Sequence, residues 1–125
     1  PSSGGSIVHV SCIADIVGTR SHAANSASKG ELISLARNMA VDYASRGIRV
    51  NCVCPGFVKT PLLDAIFADS EKTARLTAMH PLGRLGEPED VACAIIFLIS
   101  NEASWVTGQA IAIDGGFSVG YTNEI

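Results

Sequence analysis

The chain has 125 residues, a length that holds one domain at most. With 47% hydrophobic and 17% charged residues it is too apolar to remain disordered. Nine Lys and Arg against 12 Asp and Glu leave a net charge of −3, which gives no basic footprint for nucleic acid or an anionic membrane; no apolar run approaches the ~20 residues that span a bilayer.

After a flexible Pro1 to Gly5, the β-branched run Ser6-Ile-Val-His-Val-Ser11 predicts a strand buried on both faces, the signature of a parallel sheet. From Ala23 to Ser45, apolar Leu32, Ile33, Leu35, Ala36, Met39, Ala40 and Tyr43 recur at three- and four-residue intervals and predict an α-helix, with Gly47 as its stop. Ile48-Arg-Val-Asn-Cys-Val-Cys54 predicts the next strand, ended by Pro55-Gly56. A strand, helix, strand order implies a right-handed crossover and an α/β fold.

Residues 57–86 are less regular and predict a mobile segment with one or two short helical stretches carrying Leu62, Leu63, Ile66, Phe67, Leu76 and Met79. Glu87-Pro88-Glu89-Asp90 opens a helix to about Ser100, its acidic side chains suiting the positive helix N-terminus rather than a metal. Trp105-Val-Thr-Gly108 predicts a turn, Gln109 to Ile113 a last strand, and Asp114-Gly115-Gly116 its end.

The chain opens on Pro1 with neither the charged nor the apolar region of a secretion signal, and the lack of an initiating Met predicts a fragment or a processed chain. Cysteines at 12, 52, 54 and 93 read as small hydrophobes in a reducing cytoplasm rather than as a disulfide framework. Cys52-x-Cys54 has neither Cys-x-x-Cys spacing nor a matching His/Cys pair, so spacing predicts no metal site.

Six pieces occur in one order and spacing: Gly5-Ser-Ile-Val-His-Val-Ser-Cys12, Ser26-Ala-Ser-Lys29-Gly30, Gly47-Ile-Arg-Val-Asn51, Cys54-Pro-Gly-Phe-Val-Lys-Thr60-Pro61, Arg84-Leu-Gly-Glu-Pro-Glu-Asp-Val-Ala92, and Val106-Thr-Gly-Gln109 through Asp114-Gly-Gly116. Together they resemble the C-terminal half of the short-chain dehydrogenase/reductase family. The resemblance implies a Rossmann-type parallel sheet, here only its C-terminal half in the order strand, helix, strand, helices, strand. Residues 1–125 would then be a partial NAD(P)-binding domain lacking the glycine-rich half that cradles the pyrophosphate.

That resemblance also implies a chemistry. In the family a Tyr acts as general acid or base, a Lys one helical turn later lowers the phenol's pKa from about 10 and holds the nicotinamide ribose, and a Ser polarises the substrate oxygen. Lys29 falls on the Lys position. Asn25 stands where the Tyr belongs and Cys12 where the Ser belongs, with Ser11 one residue short. An amide does not titrate, and a thiol is a weak donor, so two of the three catalytic positions depart from the pattern. Pro55, Gly56, Val58 and Thr60 match the segment that meets the nicotinamide carboxamide and phosphate of NAD or NADP.

The expectation is an oxidoreductase acting on a small alcohol or ketone, with residues Leu62 to Met79 over the substrate and a homo-oligomer formed through helices such as 23–45. The alternatives are a catalytically silent relative that binds nucleotide or acts through assembly, and a truncated product without independent function. His9 and His22 read as structural or solvated, Tyr43 as a core or interface aromatic, and His80 as a possible wall of a substrate cleft.

Overall fold

The computed structural model describes residues 4–10, 22–61 and 64–118, with side chains throughout except at 22–30 and 66. Strand β1 (Gly5–Val10) is followed by helix α1 (His22–Tyr43), a 3-10 turn at Ala44–Arg46, and strand β2 (Ile48–Pro55). The chain leaves the helix at Gly47, which takes φ 72° and donates its N–H to the Ala44 carbonyl at 2.9 Å. Only glycine adopts that left-handed conformation without a Cβ penalty, so the stop falls at the predicted glycine. The α-helix itself closes two residues before Ser45 because the last turn tightens.

β1 and β2 pair in parallel from Gly5↔Ile48 to Val10↔Val53, and β3 (Ala110–Ile113) pairs in parallel with β2 from Cys52↔Ala110 to Pro55↔Ile113. The order β1-β2-β3 puts β2 at the centre. This is the expected α/β architecture on a parallel sheet. Val50, Asn51, Cys52 and Val53 of β2 are fully buried, whereas β1 is only half-buried and Val10 is 49% exposed. The expectation of two buried faces thus holds for β2, whereas β1 meets α1 through Ile7 and α4 through Ser6 but stays only partly buried, its two end residues being exposed.

Among the described residues, each face of the sheet carries one helix. Val50, Cys52 and Cys54 pack against Ala36 and Ala40 of α1, with Ile7, Leu32, Met39, Tyr43 and Ile48 around them. Tyr43 is therefore a core-packed aromatic, with the Arg46 guanidinium 5.5 Å from its ring centroid. On the opposite face lies α4 (Pro88–Ile99), where Ser6 Oγ donates to the Leu98 carbonyl at 3.0 Å. Leu98 is wholly buried, a contribution of about 1.5–3 kcal/mol.

The turn between α4 and β3 is stitched to β2. Asn51 Nδ2 donates to the Val106 carbonyl, its Oδ1 accepts from the Gln109 amide, and the Val50 amide donates to Thr107 Oγ1, each at 3.0 Å. The segment at 57–86 holds α2 (Asp64–Phe67) and α3 (Ser70–Ala78), the short helical stretches expected there. Asp69 opens α3 by accepting the Glu71 and Lys72 amides at 3.0 and 3.1 Å. The Lys72 amide, ahead of the Glu71 amide, holds the Asp69 carboxyl below its ordinary value. Among the described residues no helix is long and apolar enough to cross a membrane.

Candidate functional site

Ligands of open parallel α/β sheets bind beyond the carboxyl ends of the strands, and β2 ends there at Pro55. Gly56 follows. Its N–H donates to the Ile113 carbonyl at 3.0 Å, and a Cβ at this position would lie 2.8 Å from Asp114 Cβ and 2.9 Å from Asp114 Cα. No side chain fits. The chain then makes one more parallel bridge, Val58↔Gly86. The Gly86 amide donates to the Phe57 carbonyl and the Lys59 amide to the Gly86 carbonyl, both at 2.9 Å. In such a bridge the N–H and C=O of Val58 itself point to the opposite side of the segment. Two residues on, Thr60 Oγ1 is buried and has no hydrogen-bond partner.

On the Gly86 side is a cavity of about 360 Å³ walled by Phe57, His80, Arg84, Asp90, Asp114 and Gly115. His80 is 2% exposed. Its Nδ1 donates to the Leu76 carbonyl at 2.7 Å, its ring packs against Phe57 and Phe117 at centroid distances of 5.7 and 5.2 Å, and its Nε2 has no partner. At the rim, Arg84 donates to both oxygens of Asp90 at 2.8 and 3.1 Å, and the Glu87 amide donates to Oδ2 at 2.7 Å. The Arg84 guanidinium, then the Glu87 amide, hold the Asp90 carboxyl down at about 2, and Asp90 in turn raises Arg84. The acidic opening of α4 thus does more than face a helix dipole: Asp90 caps the helix and anchors Arg84.

The structure gathers Pro55, Gly56, Val58 and Thr60 on one continuous segment at the carboxyl end of β2. Asn25 and Lys29 both lie on α1, one helical turn apart, and the described side chains do not include theirs. Cys12 and His22's side chain also fall outside what is described, as do Leu62 and Leu63. His80 does line a cavity. Sequence reasoning passed over Gly86 and Asp114 as frame for the segment. The signal for Gly86 was a glycine closing Arg84-Leu-Gly86, and for Asp114 its place directly after the last strand, but their partners are far away in sequence.

A parallel α/β sheet with a glycine-dependent segment at the carboxyl end of its central strand defines a dinucleotide-fold protein. A family model described as enoyl-(acyl carrier protein) reductase matches residues 1–118, and the chain belongs to the short-chain dehydrogenase/reductase family. It is 45% identical over 118 residues to 2-(S)-hydroxypropyl-CoM dehydrogenase 3 of Xanthobacter autotrophicus, covering 91% of this chain and 46% of that protein. To the inactive 2-(S)-hydroxypropyl-CoM dehydrogenase 2 of the same organism it is 47% identical, covering 91% of this chain and 51% of the relative. Among solved structures, a gluconate 5-dehydrogenase from Burkholderia cenocepacia in complex with NADP and tartrate superposes with a TM-score of 0.80 at 30% identity, covering 94% of this chain and 46% of that one. The chain spans about half the length of the relatives it matches.

Proposed function

We propose that the chain is the C-terminal half of a nicotinamide-dependent oxidoreductase acting on an alcohol or ketone, residues 1–125 being part of an NAD(P)-binding domain. The observation that carries this reading is the Thr60 hydroxyl, buried without a partner beside Val58, whose backbone polar groups face away from Gly86. A buried hydroxyl left unpaired costs about 1–3 kcal/mol, and a ligand that pairs it recovers that energy. The carboxamide and phosphates of NAD or NADP offer the donors and acceptors such a segment needs. The NADP complex of the Burkholderia relative supports the same assignment.

In this reading Pro55 and Gly56 fix where the segment starts, Val58 offers its backbone groups to the carboxamide, Thr60 its hydroxyl, and Lys29 its ammonium to the ribose. The bound cofactor would supply the hydride acceptor or donor. Asn25 can donate an amide N–H to a substrate oxygen and orient it, but it cannot pass a proton; Cys12 polarises that oxygen weakly. Binding and orientation survive, and proton transfer is impaired. The same Asn25 favours a second reading, a catalytically silent relative that binds nucleotide or acts through assembly, and one relative at 47% identity bears the name inactive. Exposed Leu35 and Val41 on α1 support self-assembly of the longer protein in either reading, and the buried thiols suit the cytoplasm.

Titration calorimetry on the longer protein carrying this chain tests the proposal. NAD or NADP should bind, and Lys29→Ala and Thr60→Val should each weaken binding. A protein that is folded and binds neither nucleotide would overturn it.

A further inference from the structure

Gly86 holds Val58 in place, and one carboxylate holds Gly86. The two bonds of the Val58↔Gly86 bridge use the Phe57 carbonyl, the Lys59 amide and both backbone groups of Gly86; neither uses the N–H or C=O of Val58. The contact is close, since a Cβ at Gly86 would lie 3.2 Å from Val58 Cγ2. A shift of Gly86 is therefore passed to Val58. Outside that bridge, residues 84–87 belong to no helix or strand, so side chains set where Gly86 stands. Buried Leu85 anchors the stretch inward, and Asp90 ties both its ends. The Asp90 carboxylate accepts from the Arg84 guanidinium at 2.8 and 3.1 Å, two residues before Gly86, and from the Glu87 amide at 2.7 Å, one residue after it. Arg84 also donates to the Leu85 carbonyl at 3.1 Å, and Lys59 Nζ lies 3.1 Å from Glu87 Oε1. Asp90 in turn belongs to the first turn of α4, which the buried Leu98 seats on the sheet.

We propose that Asp90 is a positioning residue: by bracketing Gly86 through Arg84 and Glu87, it aims the backbone groups of Val58 at the carboxamide of the nicotinamide cofactor. This role rests on the reading that the 55–60 segment binds NAD or NADP. The side chains of Arg84 and Asp90 are 57% and 34% exposed, and ion pairs so open to water add little to global stability. A guanidinium that grips both oxygens of a carboxylate does fix direction, however. The pair therefore sets the geometry of the stretch around Gly86 more than it holds the fold. Asp90 acts without touching the ligand, and its effect is confined to the end of the cofactor that Val58 meets.

The test compares NAD with ADP-ribose, and NADP with 2′-phospho-ADP-ribose, by titration calorimetry on the longer protein. Each analogue keeps both riboses and the pyrophosphate but lacks the nicotinamide. The parent should bind the whole cofactor more tightly than its analogue. Asp90→Asn keeps one acceptor oxygen and loses the charge; it should weaken the whole cofactor about fivefold, the net worth of one hydrogen bond, and leave the analogue within about twofold. Arg84→Ala should do the same by removing the other partner. Asp90→Glu should keep the parental ratio, because a Glu at the third helical position reaches back to the same amide. A folded parent that binds neither cofactor overturns the cofactor reading itself. A parent that binds cofactor no more tightly than analogue, an unchanged ratio in both Asp90→Asn and Arg84→Ala, or an equal loss for both ligands overturns the role of Asp90 and leaves that reading standing. Loss of the folded circular dichroism spectrum in both variants overturns it too, since the pair would then hold the fold.

Discussion

Gly56→Ala tests whether the segment beyond β2 is held by close backbone approach. The new Cβ would begin 2.8 Å from Asp114 Cβ and 2.9 Å from its Cα, and must retreat about 0.6 Å to reach the 3.4 Å of ordinary contact. The obstacle is backbone and its first side-chain atom, which cannot swing aside. The same retreat would stretch the Gly56 N–H to Ile113 bond from 3.0 Å to about 3.6 Å, beyond hydrogen-bond range. Overpacking costs about 1–3 kcal/mol and the lost bond about 1 kcal/mol, together about 2–4 kcal/mol. Urea unfolding of the longer protein, with the slope unchanged, reads that loss as a lower midpoint. A misplacement of 1 Å can cost about 100-fold at a reacting centre, so a shift of roughly half that should weaken function of the 55–60 segment about tenfold. Gly5→Ala serves as control, since nothing lies within 4 Å of its Cβ position. A Gly56→Ala protein within about 0.5 kcal/mol of its parent, with cofactor affinity intact, would refute the argument.

Three further outcomes are expected. Asn25→Tyr should raise hydride transfer, followed as cofactor absorbance over a panel of secondary alcohols and ketones, by about 100- to 10,000-fold, the usual contribution of a general acid or base, and by more than Cys12→Ser does; robust parental turnover that survives Asn25→Ala would contradict the role given to position 25. Asp90 has its carboxyl depressed to about 2 by Arg84, against 3.8 ordinarily, so its stabilising share is complete above about pH 5 and is lost as pH falls from about 4 to 2. Urea midpoints over that range should fall less steeply in Asp90→Asn than in the parent. Asn51→Asp turns an oxygen toward the Val106 carbonyl that the amide now serves as donor, and should cost at least about 2 kcal/mol by urea unfolding, whereas a near-neutral effect would mean the turn is held without it.

Local signals carried much of this architecture. The β-branched run at 48–54 predicted the central strand because a strand covered by α1 and α4 has no reason to alternate. Gly47 marked the helix stop through a left-handed conformation that side chains oppose, and Pro55-Gly56 marked the strand end, where Asp114 leaves Gly56 no room for a Cβ. What stayed hidden depended on pairs distant in sequence. Nothing near Gly56 announced Asp114, nothing near Val58 announced Gly86, and the acidic start of α4 gave no hint that Arg84 would bind Asp90. β1 was expected to be doubly buried and is only partly so on both faces, because composition reports a strand's character whereas the depth of its burial depends on what packs around it. His80, in an irregular segment, offered a cleft role only as the lesser of two readings, and its buried ring packed with Phe57 and Phe117 was visible only in three dimensions.

Asn51 donates and accepts as a peptide unit would, so its side chain joins two backbone bonds, Gly108 N–H to the Val50 carbonyl and Cys52 N–H to the Gln109 carbonyl, in registering the 106–109 turn against β2. Surface connections normally tolerate insertions because loop closure costs little. This one behaves as a ruler. One residue added between Asn101 and Gln109 would either break both Asn51 bonds or slide β3 by one position along β2. A one-position slide reverses every side chain of a strand, taking Ile111 and Ile113 off the α4 face and Asp114 away from Gly56. The length of a connection on the far side of the sheet thus decides whether the carboxyl end of β2 keeps its shape.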